Sequence, residues 1–461
     1  MLGVQLAALL DGVPPGVEEA LDLVAGFDDA LTHGFARLGA ERATALTALA
    51  GALGATPLGT LVAEAAEKLI AGSITDEHLT ALAGGRTALF GAVHDAQLAR
   101  LDAALGRDRA TWTAPASAAA ETDGRLGGCR SWLQELAITG WRGVDHDLVA
   151  ASDQTVEALL ADAELRRLAV LLDGLSAELR ASCPVATMER LPARRWTDLW
   201  ARALLLSPDA GAAVPTASVS GRLLILGVDV HEHATAVQVQ VHAILEPAGT
   251  APPRLVRTSV AAAKVDTIVG PAIWRLPHRH PMLLGALAEH RSLDVEDVPL
   301  LESGDLVWHD DRATAGEPAD PFATARVLLA DATAAAVPPL DRHPVRIAEP
   351  VLVEGYRSVG DAFELDGGTL PVDVDRLPGC GPLTPALVAA SSACIGLVRW
   401  DGGRWTLQPL AVQGTAKRKP FEAHSGDWAM GPTDPKVVKA EARAGDAVAV
   451  LRERAGRLLR R

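Results

Sequence analysis

The spacing of apolar positions changes once along this chain. Up to about residue 206 they recur every three to four residues, the period of a helix with one buried face. From residue 218 they alternate, the period of a strand with one buried face. In the first part, Leu21, Leu23, Val24, Phe27 and Leu31 form a stripe over residues 18–31. Thr56-Pro57 is an N-cap followed by a first-turn proline, which predicts a helix to about Ala71 that Gly72 ends. Ser73, with Asp76 three residues later, reads as a capping box for the next helix. The longest pattern covers residues 86–105, with Phe90, Val93, Leu98, Leu101 and Leu105 on one face; Gln97 and His94 interrupt it. A helix over 194–206 carries Trp196, Trp200, Leu204 and Leu205 near one face, the spacing of helix-packing anchors.

In the second part, residues 223–230 and 235–245 read as strands joined by a short turn around residues 231–233. Val237, Val239, Val241 and Ala243 fall on one face of the second strand; Gln238, Gln240, His242 and Ile244 fall on the other. A third strand follows at 255–260, and a short helix at 281–290. The clearest hairpin is Leu397-Val-Arg-Trp-Asp-Gly-Gly-Arg-Trp-Thr-Leu407. A two-residue Gly402-Gly403 turn pairs Asp401 with Arg404, Trp400 with Trp405 and Val398 with Leu407. Slipping the turn back by one would oppose Arg399 and Arg404, and like charges directly opposite are unfavourable.

These elements make an α+β chain. It divides into an all-α domain over residues 1–206 with an internal linker near 107–128, a linker at 207–217, and a β-rich domain at 218–309. A loop or linker at 310–322 then leads to a mixed β-rich domain at 323–461 whose last helix, 437–459, mixes basic and acidic side chains. At 461 residues and 49 % hydrophobic content the chain can bury several cores. The uncharged stretch 43–63 is long enough for a bilayer but only weakly apolar, and Thr56-Pro57 divides it into two helices rather than a membrane span.

The net charge of −15 falls as −10 on residues 1–206 and −5 on the rest. An acidic helical half repels phosphate backbones, so nucleic acid is disfavoured as a partner. Lys417-Arg418-Lys419 and the terminal Arg452, Arg454, Arg457, Arg460 and Arg461 are small basic clusters, read as solvated surface. Arginine outnumbers lysine 37 to 6, which with the abundant alanine fits a high-GC bacterial coding bias. Cys129, Cys183, Cys380 and Cys394 form no CxxC pair, which argues against a cysteine zinc site and for reduced thiols in the cytoplasm.

Two constellations carry candidate chemistry. Asp229-Val-His231-Glu-His233 places two histidines at i,i+2 on one side of a strand, within reach of one divalent metal, with His242 on the next strand as a further ligand. Over these five residues the motif resembles the first-strand metal motif of amidohydrolase-type barrels. That resemblance implies a helix after the strand and later His, Lys and Asp ligands; here an alternating strand follows at once, so such a barrel is not expected. The second constellation is Arg275, His278, Arg279 and His280, an anion-binding cluster next to a helix start. No GxGxxG, P-loop or GxSxG motif occurs. The sequence therefore predicts a non-catalytic interaction or scaffold subunit of a bacterial multi-protein assembly, with other subunits as partners. The alternative it leaves is a metal-dependent hydrolase built on the Asp-x-His-x-His cluster.

Overall fold

The computed structural model describes residues 1–113, 126–162, 165–207, 217–233, 236–265, 267–444, 448–450 and 453. Most of the linkers expected at 107–128 and 207–217, and the five terminal arginines, lie outside the described residues. The structure is α+β: helices occupy the first part, and antiparallel and mixed sheets with a few helices the second.

The helical part comprises α1 (Gly3–Leu10), α2 (Val17–His33), α3 (Ala40–Ala52), α4 (Gly59–Ile70), α5 (Asp76–Leu105), α6 (Leu126–Thr139), α7 (His146–Ala150), α8 (Asp153–Leu160), α9 (Arg166–Ser182) and α10 (Ala193–Leu206). The uncharged stretch 43–63 is shared between α3 and α4, and no helix of the described residues is long and apolar enough to cross a membrane. The predicted end of α4 holds at Gly72, whose φ of 90° suits only glycine, but its start moves from Thr56-Pro57 to Gly59, with Leu58 as N-cap, because the Thr56 hydroxyl bonds back to the Leu53 carbonyl. The predicted cap of α5 shifts by two residues. Thr75, not Ser73, accepts from the first turn, at 3.3 Å from the His78 amide. Trp196, Trp200 and Leu204 of α10 are fully buried, as the one-face spacing predicted.

The second part begins with β1 (Ala217–Glu232), β2 (Ala236–Pro247) and β3 (Arg254–Ala263), then α11 (Pro281–Glu289), β4 (Arg291–Leu300), β5 (Asp305–Leu306) and β6 (Ala313–Pro318). β1 pairs antiparallel with both β2 and β4, β2 pairs with β3, β3 runs parallel to β5, and β5 meets β4. The order 1-2-3-5-4-1 closes on itself. With a helix between the third and fourth strands, this is the connectivity of an OB-type Greek-key barrel. Val237, Val239 and Val241 fill its interior with Leu283 and Leu287 of α11. Residues 313–318 correct the expected loop at 310–322. They form β6 because β4 offers them a free edge, with Leu293 opposite Ala315 and Val295 opposite Ala313.

The chain continues through α12 (Pro321–Leu328), β7 (Ala348–Glu354), β8 (Arg357–Ser358), β9 (Ala362–Leu365), β10 (Gly368–Pro371), α13 (Pro385–Ala389), β11 (Ser391–Asp401), β12 (Arg404–Ala416), β13 (Lys419–His424) and α14 (Pro435–Ala444). β13-β12-β11-β7 form a second antiparallel sheet, and β10-β9-β8 a small one. The hairpin register is the predicted one: Asp401 faces Arg404, Trp400 faces Trp405 and Val398 faces Leu407. Gly402 and Gly403 have φ of 57° and 79°, the left-handed pair that a two-residue hairpin turn requires. Both tryptophans are buried.

Two further cores join these parts. Leu224, Leu226 and Ile244 of the barrel pack against Ile395, Ala411 and Phe322. The outer face of β2 is therefore buried at His242 and Ile244, while Gln238 on the same face stays exposed. Leu6 and Leu9 of α1, with Val93, Leu98 and Leu101 of α5, share a core with Val351, Val398 and Leu407 of the second sheet. The first part of α5, through Leu79, Leu82 and Phe90, belongs instead to the helical core. One helix of 30 residues, about 45 Å long, thus serves both cores.

Candidate functional site

A cleft of about 520 Å³ lies where α5 and α10 meet the segment 340–346 that leads into β7. Its size is that of a small-molecule site. The local sequence explains its floor. α10 starts at Leu191-Pro-Ala-Arg-Arg, with Pro192 as N-cap and no side chain to accept from the first-turn amides. An uncapped helix start presents N–H groups and the positive end of the helix dipole. The next turns place Arg194, Arg195, Asp198 and Arg202 along the cleft, with Leu199 as part of the apolar wall.

Asp198 is fixed from two sides. It accepts from Arg86 Nη1 at 2.6 Å and lies 3.3 Å from His343 Nε2. Arg86 is itself buried and grips Asp28 of α2 with two bonds, at 2.6 and 3.0 Å. Burial alone would raise the Asp198 pKa, but the bond from His343 and the charge of Arg86 outweigh it and hold the carboxylate below its usual range. His343 stacks on Phe90 with ring centroids 4.3 Å apart, and its Nδ1 accepts from the Val345 amide at 3.3 Å. Nδ1 is engaged by that amide, and Nε2 faces Asp198.

The opposite wall is strongly cationic. Asp341 accepts from Arg202 at 2.9 Å and from Arg346, with Arg167 at 3.7 Å. One carboxylate thus faces three guanidiniums. Burial, reinforced by Arg202, pulls the Arg346 pKa down to about 10. Burial lowers Arg202 too, and Arg167 adds to the effect. Arg342 leans towards Asp95, at 3.0 Å. Arg194 lies 5.6 Å from the centre of the Phe90 ring and has no carboxylate partner among the described residues. Six arginines line the cleft; Arg86 is paired with Asp28 and Asp198, Arg195 with Glu178, Arg202 and Arg346 with Asp341, and Arg342 with Asp95, so Arg194 alone has no carboxylate partner among the described residues.

The residues singled out from sequence lie elsewhere. Asp229 is buried between the barrel and the second sheet. Its Oδ2 accepts from Arg399 at 2.7 Å, its Oδ1 accepts from Gln408 at 2.8 Å, and His231 Nε2 stands 3.0 Å from Oδ2. Its pKa is held well below the carboxylate range: burial would raise it, but His231 and Arg399 outweigh burial. The structure therefore joins Asp229 to His231 but uses the carboxylate as an inter-sheet tie. His233 is exposed at the end of the strand. His242 is fully buried, and desolvation, with Arg257 nearby, pulls its pKa down to about 3. These four do not converge on one point. Among the described residues the three metal-ligating side chains that do are His290, Glu422 and His424.

The proposed anion cluster also disperses. Arg275 reaches Glu441 of α14 at 3.3 Å, and His278 Nδ1 lies 3.0 Å from the Leu276 carbonyl. Arg279 is exposed, and His280 turns a buried, unpaired Nδ1 inward. The chemistry expected of that cluster, guanidiniums beside a proline-led helix start, is found instead at α10. Its sequence signal was present in Leu191-Pro-Ala-Arg-Arg, but the remaining arginines come from α5 and from 342–346 and share no local spacing with it. Compared with models of known families, with curated proteins and with solved structures, the chain matches none.

Proposed function

We propose that this protein is a non-catalytic binding subunit that takes a small organic anion in the cleft between α10 and residues 340–346. One observation carries the reading: six arginines converge on a cleft of about 520 Å³, and Arg194 among them has no carboxylate partner among the described residues. An anionic head, phosphate or carboxylate, would sit among Arg194, Arg202, Arg346 and the free first-turn amides of α10. An apolar body would lie on Leu199 and Leu340. This keeps the sequence-based expectation of an interaction subunit and gives it a ligand. The hydrolase alternative centred on Asp229, His231 and His233 has less support, because both Asp229 oxygens are already committed.

The test is equilibrium binding and thermal shift with phenyl phosphate, benzoate and inorganic phosphate. An aryl anion is expected to bind more tightly than inorganic phosphate and to weaken as salt rises. Arg202→Gln and Arg346→Gln should each weaken it about tenfold or more, since a hydrogen bond to a charged group contributes about 1.5–3 kcal/mol. Leu199→Trp should block the cleft. Binding by none of the three probes, or unchanged binding in both arginine variants, overturns the reading.

A further inference from the structure

We propose that His290, Glu422 and His424 form a binding site for a divalent transition-metal ion of the zinc type, far in sequence from the Asp229 motif. One ligating atom from each lies within 4.8 Å of the other two. The three come from two elements. Glu422 and His424 stand at i,i+2 on β13 and so project to the same side. His290 caps α11 just before β4, at a φ of 49° that turns its side chain off the helix axis. The two imidazole centroids are 4.3 Å apart.

The surroundings are arranged as a ligand set requires. Asp427 accepts from the His424 amide at 3.0 Å and lies 2.8 Å from His290 Nε2, so a carboxylate fixes the His290 ring. Metal-bound histidines are commonly oriented in this way. Gln413 donates to Glu422 Oε2 at 2.7 Å, leaving Oε1 turned to His424, 2.6 Å away. Phe322 packs edge-on against His424, with ring centres 5.8 Å apart. A cavity of about 20 Å³, lined mostly by apolar side chains and not by Glu422, adjoins His290 and His424. Two imidazoles and the Glu422 carboxylate supply nitrogen and oxygen donors, with Asp427 behind His290 as a supporting carboxylate. That combination suits zinc or cobalt better than calcium or magnesium, which prefer all-oxygen shells. His424 is buried, while His290 and Glu422 are each about one-third exposed, so an ion can enter from solvent.

The experiment uses the full-length, untagged, chelator-stripped protein. Zinc is titrated and counted by elemental analysis after dialysis, and cobalt(II) is added as a spectroscopic probe. One ion per chain is expected, with a visible cobalt spectrum of low coordination number. Glu422→Gln and His290→Asn should each weaken binding at least tenfold; asparagine tolerates the positive φ at position 290. Circular dichroism checks that each variant is folded. His424→Gln should abolish the cobalt spectrum, and if its loss beneath Phe322 unfolds the chain, the exposed Glu422 variant still decides. No retained ion, or wild-type affinity in both Glu422→Gln and His290→Asn, overturns the site.

Discussion

Single residues show how far local spacing can mislead and where it still informs. Asp229 and His231 had the spacing of metal ligands, yet their shared face turns towards Arg399 and Gln408 of the second sheet, which no local pattern encodes. Glu422-x-His424 has the same i,i+2 spacing on a strand and does converge with a third ligand. The difference lies in tertiary neighbours and not in the motif. The acid response of the fold rests on single buried groups. Unfolded, His242 takes a proton near pH 6.5; folded, only near 3, because it is desolvated and faces Arg257. Between those values the unfolded chain holds more protons, so stability rises with pH there and is lost on acidification from about 6.5. The slope from this one group approaches about 1.4 kcal/mol per pH unit. Asp229 acts in the same sense but lower. Its depressed folded pKa gives stability that is complete above about 3.9 and fades as pH falls below it. Denaturant midpoints measured from pH 7 to pH 5 should therefore flatten in His242→Leu and keep their slope in Asp229→Asn. A wild-type slope in His242→Leu would exclude a buried neutral imidazole. Asp229→Ala, which strands Arg399 between the sheets, should cost about 3–5 kcal/mol at neutral pH.

At the level of elements, what was readable was what neighbours in sequence decide. The β11–β12 hairpin followed from its turn glycines and from one charge repulsion, and α10 followed from its tryptophan spacing. The strand β6 was not readable, because Ala313-Thr-Ala-Gly-Glu-Pro318 has loop composition and pairs only when β4 lends it an edge. A comparable non-local demand sits at the contact between the ends of α2 and α6. Gly34 and Gly140 have φ of 83° and 75° with ψ of 140° and 160°, close to a region that only glycine occupies readily. A Cβ on Gly140 would lie 2.2 Å from the Gly34 amide nitrogen. Gly140→Ala thus meets backbone strain and a backbone clash together. A loss of at least about 2 kcal/mol is expected in urea unfolding. Gly402→Ala, at the open hairpin turn, should cost only about 1–2 kcal/mol. Equal losses would mean that the close approach at Gly140 relaxes.

The whole molecule departs most from the sequence-level division. A boundary at residue 206 separates helix from strand by composition, but it does not separate the cores. Val93, Leu98 and Leu101 of α5 are buried with Val351, Val398 and Leu407, while Leu79, Leu82 and Phe90 of the same helix are buried among helices. Beyond α5, Arg109 binds Asp102 twice, at 2.7 and 2.9 Å, and reaches Glu349 of β7 at 3.2 Å. It also forms an isolated bridge with Ala334. Such long-range contacts leave no trace in spacing, which is also why the arginine cleft at the same seam could not be read from any one segment. A fragment ending at residue 206 would expose the last three turns of α5 and the apolar face of α1. It is expected to bind a hydrophobic dye and to unfold without a sharp transition, whereas the full chain should melt in one cooperative step. Leu101→Ala in the full chain should lower that single midpoint for probes of helix and of sheet alike, by about 2–5 kcal/mol. An anion in the cleft touches α10 on one side and residues 340–346 on the other, so it should raise the same midpoint without splitting it. Two separate transitions, or a fragment that melts as sharply as the full chain, would show that α5 is held by the helices alone.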